Sequence, residues 1–237
     1  MKAELVYEGK AKKVYRSKSA KDQLILSYKN DATAFNGKKK ASFMGKGRLN
    51  NEISARIFPY LHEHRIKSHF IERLNETEQL VYETKIIPLE VVVRNLATGS
   101  IVKRLGFEEK TPFNPPLIEL FYKNDDLDDP LINDDHALLL TDITYKELNE
   151  IKAKALEINT ALRELFQSIN LELIDFKLEF GRLQDGMIVL SDEVSPDTCR
   201  LWDRTTSEKM DKDVFRQGIG DLVEVYEEIL QRLEARS

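Results

Sequence analysis

Apolar positions recur along this chain in two rhythms. In residues 145–169, Leu148, Ile151, Ala155, Ile158, Leu162, Leu165 and Phe166 follow at intervals of three and four, which predicts one long amphipathic helix. Thr144 is suited to cap its start, and Glu147 completes a capping box. Elsewhere the rhythm is shorter. Residues 3–8, 11–16 and 23–28 are brief runs with β-branched or aromatic members, and they predict an antiparallel meander. Residues 68–74, 79–86 and 90–96 predict three more strands, with Pro88 as a hinge between the last two. Helices are expected at 49–64 and 213–233, and loops at 30–47, 111–116 and 124–135. The order divides the chain near residue 86, into a sheet-rich lobe over 1–86 and a second lobe over 87–237.

The most informative pattern lies in residues 173–193. Asp175, Lys177 and Glu179 alternate with Phe176, Leu178 and Phe180, so a strand here carries its charges on one face and its core residues on the other. Gln184-Asp185-Gly186 supplies a turn, after which the next apolar run returns antiparallel and brings Asp192 towards Glu179. Two acidic oxygen donors on neighbouring strands suit a Mg²⁺ clamp. A solvated strand face with a cross-strand ion pair fits the same pattern.

Composition narrows the class. With 41% hydrophobic and 32% charged residues among 237, the chain reads as globular and soluble. A net charge of −5 argues against a general nucleic-acid binder. One cysteine, Cys199, excludes an internal disulfide framework, and with four histidines it leaves no cluster for zinc, so a reducing cytoplasm is the expected setting. The first residues lack the apolar core of a signal peptide, and no run approaches the roughly 20 apolar residues of a membrane span.

Other segments carry possible chemistry. Gly9-Lys10-Ala11-Lys12-Lys13 falls in a strand-turn-strand that can cover a polyphosphate, or is simply a surface lysine cluster, as Lys38 to Lys40 are. Arg94 interrupts an apolar strand ending in Thr98-Gly99-Ser100, whose N–H and hydroxyl groups suit an anion. An arginine on an edge strand beside a plain turn is the alternative. Ser195, Asp197 and Arg200 follow the acidic hairpin directly. Trp202 reads as packing, and Cys199, with no adjacent histidine, as structural.

Taken together, these motifs resemble a known family. IPLEVVVRNLATGS at 87–100 and LIDFKLEFG at 173–181 look like the two signature segments of the phosphoribosylaminoimidazole-succinocarboxamide synthases, or SAICAR synthetases. GKAKKVY, FYKND, DEVSPDTCRLWD and EKMDKDVFRQ are similar to further family segments, in family order, over essentially the whole chain.

The resemblance implies a two-lobed α+β fold, with a small antiparallel sheet over a larger C-terminal lobe and a kinase-like ATP cleft between them. It implies ATP-dependent joining of L-aspartate to 5-amino-1-(5-phosphoribosyl)imidazole-4-carboxylate in de novo purine synthesis. Carried over residue by residue, it gives Glu179 and Asp192 to Mg²⁺; Lys10, Ala11, Lys12 and Lys123 to the ATP phosphates; and Ile86 to adenine. Arg94, Ser100 and Arg200 fall to the ribotide, Asp197 joins the substrate set, and Asp175 and Lys177 resemble a kinase catalytic pair. For L-aspartate the candidates are Lys212, Arg216 and the 31–37 loop, although Lys212 and Arg216 also suit a helix surface. A homodimer is the implied assembly. The rivals are a small-molecule kinase of the inositol phosphate type and a non-catalytic nucleotide-binding module.

Overall fold

The computed structural model describes residues 2–34 and 39–236. Its first sheet begins with β1 (Lys2–Glu8), β2 (Lys12–Ser17) and β3 (Gln23–Tyr28), the expected meander. After a two-stranded ribbon, β4 (Asp31–Ala34) and β5 (Lys39–Ser42), comes helix α1 (Lys46–Glu63). The hairpin β6 (Phe70–Asn75) and β7 (Glu78–Tyr82) then completes an antiparallel sheet of order β1-β2-β3-β7-β6. Much of the expected 30–47 loop is therefore the β4–β5 ribbon, with Asp31 paired to Ser42 and Ala32 to Ala41. Phe35, Asn36, Gly37 and Lys38 lie outside the described residues.

The second sheet is built on β8 (Lys85–Leu96), followed by α2 (Ser100–Leu105), β9 (Pro112–Tyr122), a 3₁₀ turn at Asp125–Leu127, β10 (Leu131–Ile132) and α3 (Asp134–Leu140). Helix α4 (Tyr145–Ser168) leads into β11 (Leu171–Arg182), β12 (Ile188–Ser191) and β13 (Cys199–Asp203), and the chain finishes with α5 (Asp213–Gln217) and α6 (Leu222–Ala235). The strand order is β10-β9-β8-β11-β12, with β13 also paired to β11. Thr144 caps α4 and Glu147 returns the bond to the Thr144 N–H, as the capping box predicts.

Three expectations fail for local reasons. The strand break expected at Pro88 is absent: β8 runs through it, at the irregularity between the Glu179 and Gly181 pairings, where a missing N–H costs no ladder bond. The proline-rich 111–116 segment is strand, because Phe113–Pro116 falls in the register shift between Arg94 and Leu96 on β8 and is not asked to donate there. The single terminal helix is two: Gly218, at φ +67°, ends α5, and Asp221 starts α6 by accepting from Val223 N at 2.7 Å and Glu224 N at 3.2 Å.

One core continues from α1 through both long strands to α6. Leu49, Ile53, Ile57 and Leu61 of α1 are fully buried with Ile151, Ile158 and Leu162 of α4 and Tyr226 and Ile229 of α6. A small separate cluster of Leu26, Tyr28 and Val81, with Val14 and Leu24 against it, lies under the first sheet.

Candidate active site

Strand β11 is the spine of the site. Phe176, Leu178 and Phe180 enter the core at 1% exposure, so Asp175, Lys177 and Glu179 must take the opposite face. That face is not solvated: Asp175 is 4% and Glu179 3% exposed. The turn pairs Glu179 with Ser191, which sets Asp192 one residue beyond, at the end of the adjoining strand. Asp192 itself is left-handed, with φ +63°.

A cavity of ≈ 550 Å³ lies over this face, lined also by the first sheet. Val14, Leu24, Leu26, Val81 and Ile86 give it an apolar end. Its other end is charged. Lys12 of β2 reaches Asp192 at 2.5 Å and Glu193 at 2.7 Å. Lys177 reaches Glu90 at 2.6 Å and Glu179 at 3.1 Å, while Lys123 pairs with the second Glu179 oxygen. Lys10 pairs at the rim with Asp125 at 2.7 Å.

These pairs set the charge states. Burial alone would raise the Asp192 carboxyl, but Lys12, Lys123 and Lys177 outweigh it and hold the group well below the usual carboxylate range. Burial would likewise lower the lysines, yet Asp192 with Glu193 raises Lys12, and Glu179 with Glu90 raises Lys177. Burial pushes the His69 imidazole down to about 4, so it is neutral near pH 7.

A second cluster sits further along β11. Arg94 donates from Nη1 to Asp175 Oδ2 at 2.5 Å, from Nε to Glu119 at 2.6 Å and from Nη2 to Ser100 Oγ at 3.1 Å. Arg200, on paired strand β13, donates to the same Asp175 oxygen at 2.8 Å and to Asp213 at 2.9 Å. Gly99 is required beside it: φ is +64°, and a Cβ there would come within 2.8 Å of Arg200 Nη2. Arg216 closes the group by pairing with Asp213 at 2.6 Å. Asp211, pushed up to about 7 by burial and the charge of Asp213, accepts from Leu201 N at 2.9 Å and Asp213 N at 2.7 Å, tying β13 to α5.

The third cluster surrounds Asp197. Its Oδ2 accepts from Lys46 at 2.6 Å, its Oδ1 accepts from Tyr226 at 2.6 Å, and Lys212 stands 3.4 Å away. Burial lowers the Lys212 ammonium, only partly offset by Asp197.

This geometry can be set beside known proteins. Residues 5–233 match the family model of SAICAR synthetase. The chain is 71% identical over 234 residues to the phosphoribosylaminoimidazole-succinocarboxamide synthase of Oceanobacillus iheyensis, covering 99% of each chain. To that of Halalkalibacterium halodurans it is 55% identical, covering 100% of this chain and 99% of the relative. This chain belongs to the SAICAR synthetase family. A solved SAICAR synthetase in complex with ADP superimposes with a TM-score of 0.93 at 48% identity, covering 97% of both chains. The synthase from Ehrlichia chaffeensis gives 0.94 at 46%, covering 98% of this chain and 99% of that one. The two-sheet α+β architecture is that of the family.

Of the residues that the SAICAR synthetase resemblance singles out, the cavity gathers Lys10, Ala11, Lys12, Ile86, Lys123 and Lys177, and with them Glu179, Asp192, Asp197 and Lys212. Asp175, Arg94, Ser100, Arg200 and Arg216 do not line it but form the adjoining ion-pair cluster. Sequence reasoning missed Glu90, Glu193, His69 and Lys46. Glu90 was legible as the charge inside an apolar strand, and Glu193 as the neighbour of Asp192. Lys46 carried no signal.

The donor set suits Mg²⁺. Glu179 and Asp192 offer only oxygens, from adjoining chain segments that line one cavity. Among the described residues no three acidic, histidine or cysteine side chains form a metal cluster. A cation here would keep positions for phosphate and water oxygens, the arrangement Mg²⁺ prefers. Lysine ammoniums pair with those carboxylates in this structure.

Proposed function

We propose that this cleft carries out the family reaction: 5-amino-1-(5-phosphoribosyl)imidazole-4-carboxylate and L-aspartate are condensed at the expense of ATP, giving the succinocarboxamide ribotide, ADP and phosphate. The observation that carries the reading is the convergence of Lys12, Lys123 and Lys177 on the paired carboxylates Glu179 and Asp192, linked through β11 to Arg94 and Arg200. Residues 1–86 cover the nucleotide, and 87–237 hold metal and substrates.

A carboxylate is a poor electrophile, so the ribotide carboxylate oxygen first attacks the γ-phosphorus of ATP. The bond to the β,γ-bridging oxygen breaks, and an acyl phosphate and ADP result. Lys10 and Lys12, with the Ala11 backbone and Lys123, hold the phosphates; Lys177 neutralises charge on the transferring group; Ile86 and the apolar end take adenine. Glu179 and Asp192 would hold a Mg²⁺ ion, which would supply Lewis-acid neutralisation of the phosphate charge. The neutral amine of L-aspartate then attacks the acyl carbon, the bond to phosphate breaks, and the amine gives up a proton to solvent.

Arg94, Ser100 and Arg200 bind the ribotide. Asp175, whose Oδ2 accepts from both guanidiniums, orients them. Lys212 and Arg216 serve the carboxylates of L-aspartate, because Lys46 and Tyr226 already engage Asp197 and leave Lys212 under-neutralised. Asp197 then acts through its lysines. The homodimer and a cytoplasmic location belong to the same proposal and rest on the resemblance, the location also on the lone Cys199.

Omitting ATP, aspartate and ribotide in turn from a Mg²⁺-containing mixture tests it. The new amide, read by mass spectrometry, and free phosphate should appear together with ADP only when all three are present. A stable phosphorylated product in place of the amide would mark a kinase.

A further inference from the structure

His69 lines the cavity, yet no step above uses it. Its ring nitrogen Nε2 lies 2.9 Å from the backbone oxygen of Asp192. A carbonyl only accepts, so Nε2 carries the hydrogen and donates. The partner is unusual: Asp192 has φ +63°, a left-handed conformation that costs a non-glycine residue roughly 1 kcal/mol or more. The β11–β12 pairing ends one residue earlier, at Ser191, so the ladder does not hold that conformation.

His69 is itself well fixed. Its N–H donates to Leu190 O at 2.8 Å, its carbonyl accepts from Tyr82 N at 2.7 Å, and its ring meets Phe58 edge-on at 5.7 Å. It therefore ties the first sheet, through β7, to the end of the acidic hairpin.

We propose that His69 is a positioning residue for the cation site: its hydrogen bond to the Asp192 carbonyl maintains the left-handed turn that sends the Asp192 carboxylate into the cavity. The proposal rests on the reading of Asp192 as a metal ligand. A partner one bond removed from a ligand commonly governs metal affinity by about 10- to 100-fold. A histidine serving only as core packing would leave metal affinity untouched.

The test is Mn²⁺ binding in the presence of ADP, followed by loss of the free-ion electron paramagnetic resonance signal. Wild type is compared with His69→Phe, His69→Leu and His69→Gln, with folding checked by thermal unfolding. The two donor-less variants should bind Mn²⁺ about tenfold more weakly or worse while ribotide affinity is kept. His69→Gln, whose amide can still donate to the carbonyl, should stay within about threefold of wild type. Unchanged Mn²⁺ binding in a folded donor-less variant would overturn the proposal, as would equal weakening in the Gln variant. Asp192→Asn is the control: wild-type Mn²⁺ affinity there would sink the metal reading itself, independently of His69.

Discussion

The Nζ of Lys12 lies 2.5 Å from the Asp192 carboxylate, joining the second strand of the first sheet to the end of β12. The lysine side chain is 11% exposed and the aspartate 25%, so the pair is largely desolvated. Bound Mg²⁺ and phosphate would replace this one pair by two, cation with carboxylate and ammonium with phosphate. Lys12→Met should therefore raise KM for ATP by about tenfold or more, roughly 1.4 kcal/mol, with KM for the ribotide little changed. Steady-state kinetics with each substrate varied separately checks this.

Arg94 and Arg200 share one oxygen of Asp175, which fixes both guanidinium planes. Arg200→Lys keeps the charge but cannot hold Asp175 and Asp213 in one fork. KM for the ribotide should rise about tenfold while kcat falls less. Asp192→Asn should do the reverse, lowering kcat mainly. Asparagine is among the residues that tolerate a left-handed backbone, so this substitution isolates the charge.

The acidic hairpin was legible because its two periods agree: alternation puts Phe176, Leu178 and Phe180 in the core, and an Asp-Gly turn returns the chain. The long helix was legible for the same reason, its stripe and its capping box pointing to one element. Strand β9 was not, since prolines are breakers unless a register shift relieves them of donating, and that shift depends on the partner strand. The split between α5 and α6 had a readable signal in Gly218, Gly220 and Asp221, which a single helix over 213–233 passed over. At the site, residues in strand alternation could be found. Lys46 and His69 could not, because their roles arise only where distant elements meet.

Lys46 is 0% exposed and paired with Asp197, a buried charge that no helical pattern anticipates. Lys46→Met should lower unfolding free energy by at most about 3–5 kcal/mol, since it removes one partner of a buried pair and leaves Asp197 with Tyr226 and the more distant Lys212. The double variant Lys46→Met with Asp197→Asn should recover part of the loss. Urea denaturation of the single and double variants measures both.

His69 gives stability a defined pH dependence. Its folded pKa of about 4 lies below the unfolded value near 6.5, so as pH falls the unfolded chain takes up a proton that the folded protein refuses. This contribution is complete above pH ~6.5 and declines by about 1.4 kcal/mol per unit towards pH ~4, roughly 3 kcal/mol in all. His69→Gln should flatten the stability profile in that window. Unfolding at intervals across the same range, with wild type alongside, reads the difference.

If the cleft activates the ribotide carboxylate by phosphorylation, an oxygen of that carboxylate must leave with the phosphate. Ribotide labelled in its carboxylate with a heavy oxygen isotope is incubated with Mg-ATP and L-aspartate, and the released inorganic phosphate is analysed by mass spectrometry. One labelled oxygen per phosphate is expected, in step with amide formation. Amide formed with unlabelled phosphate would contradict the mechanism.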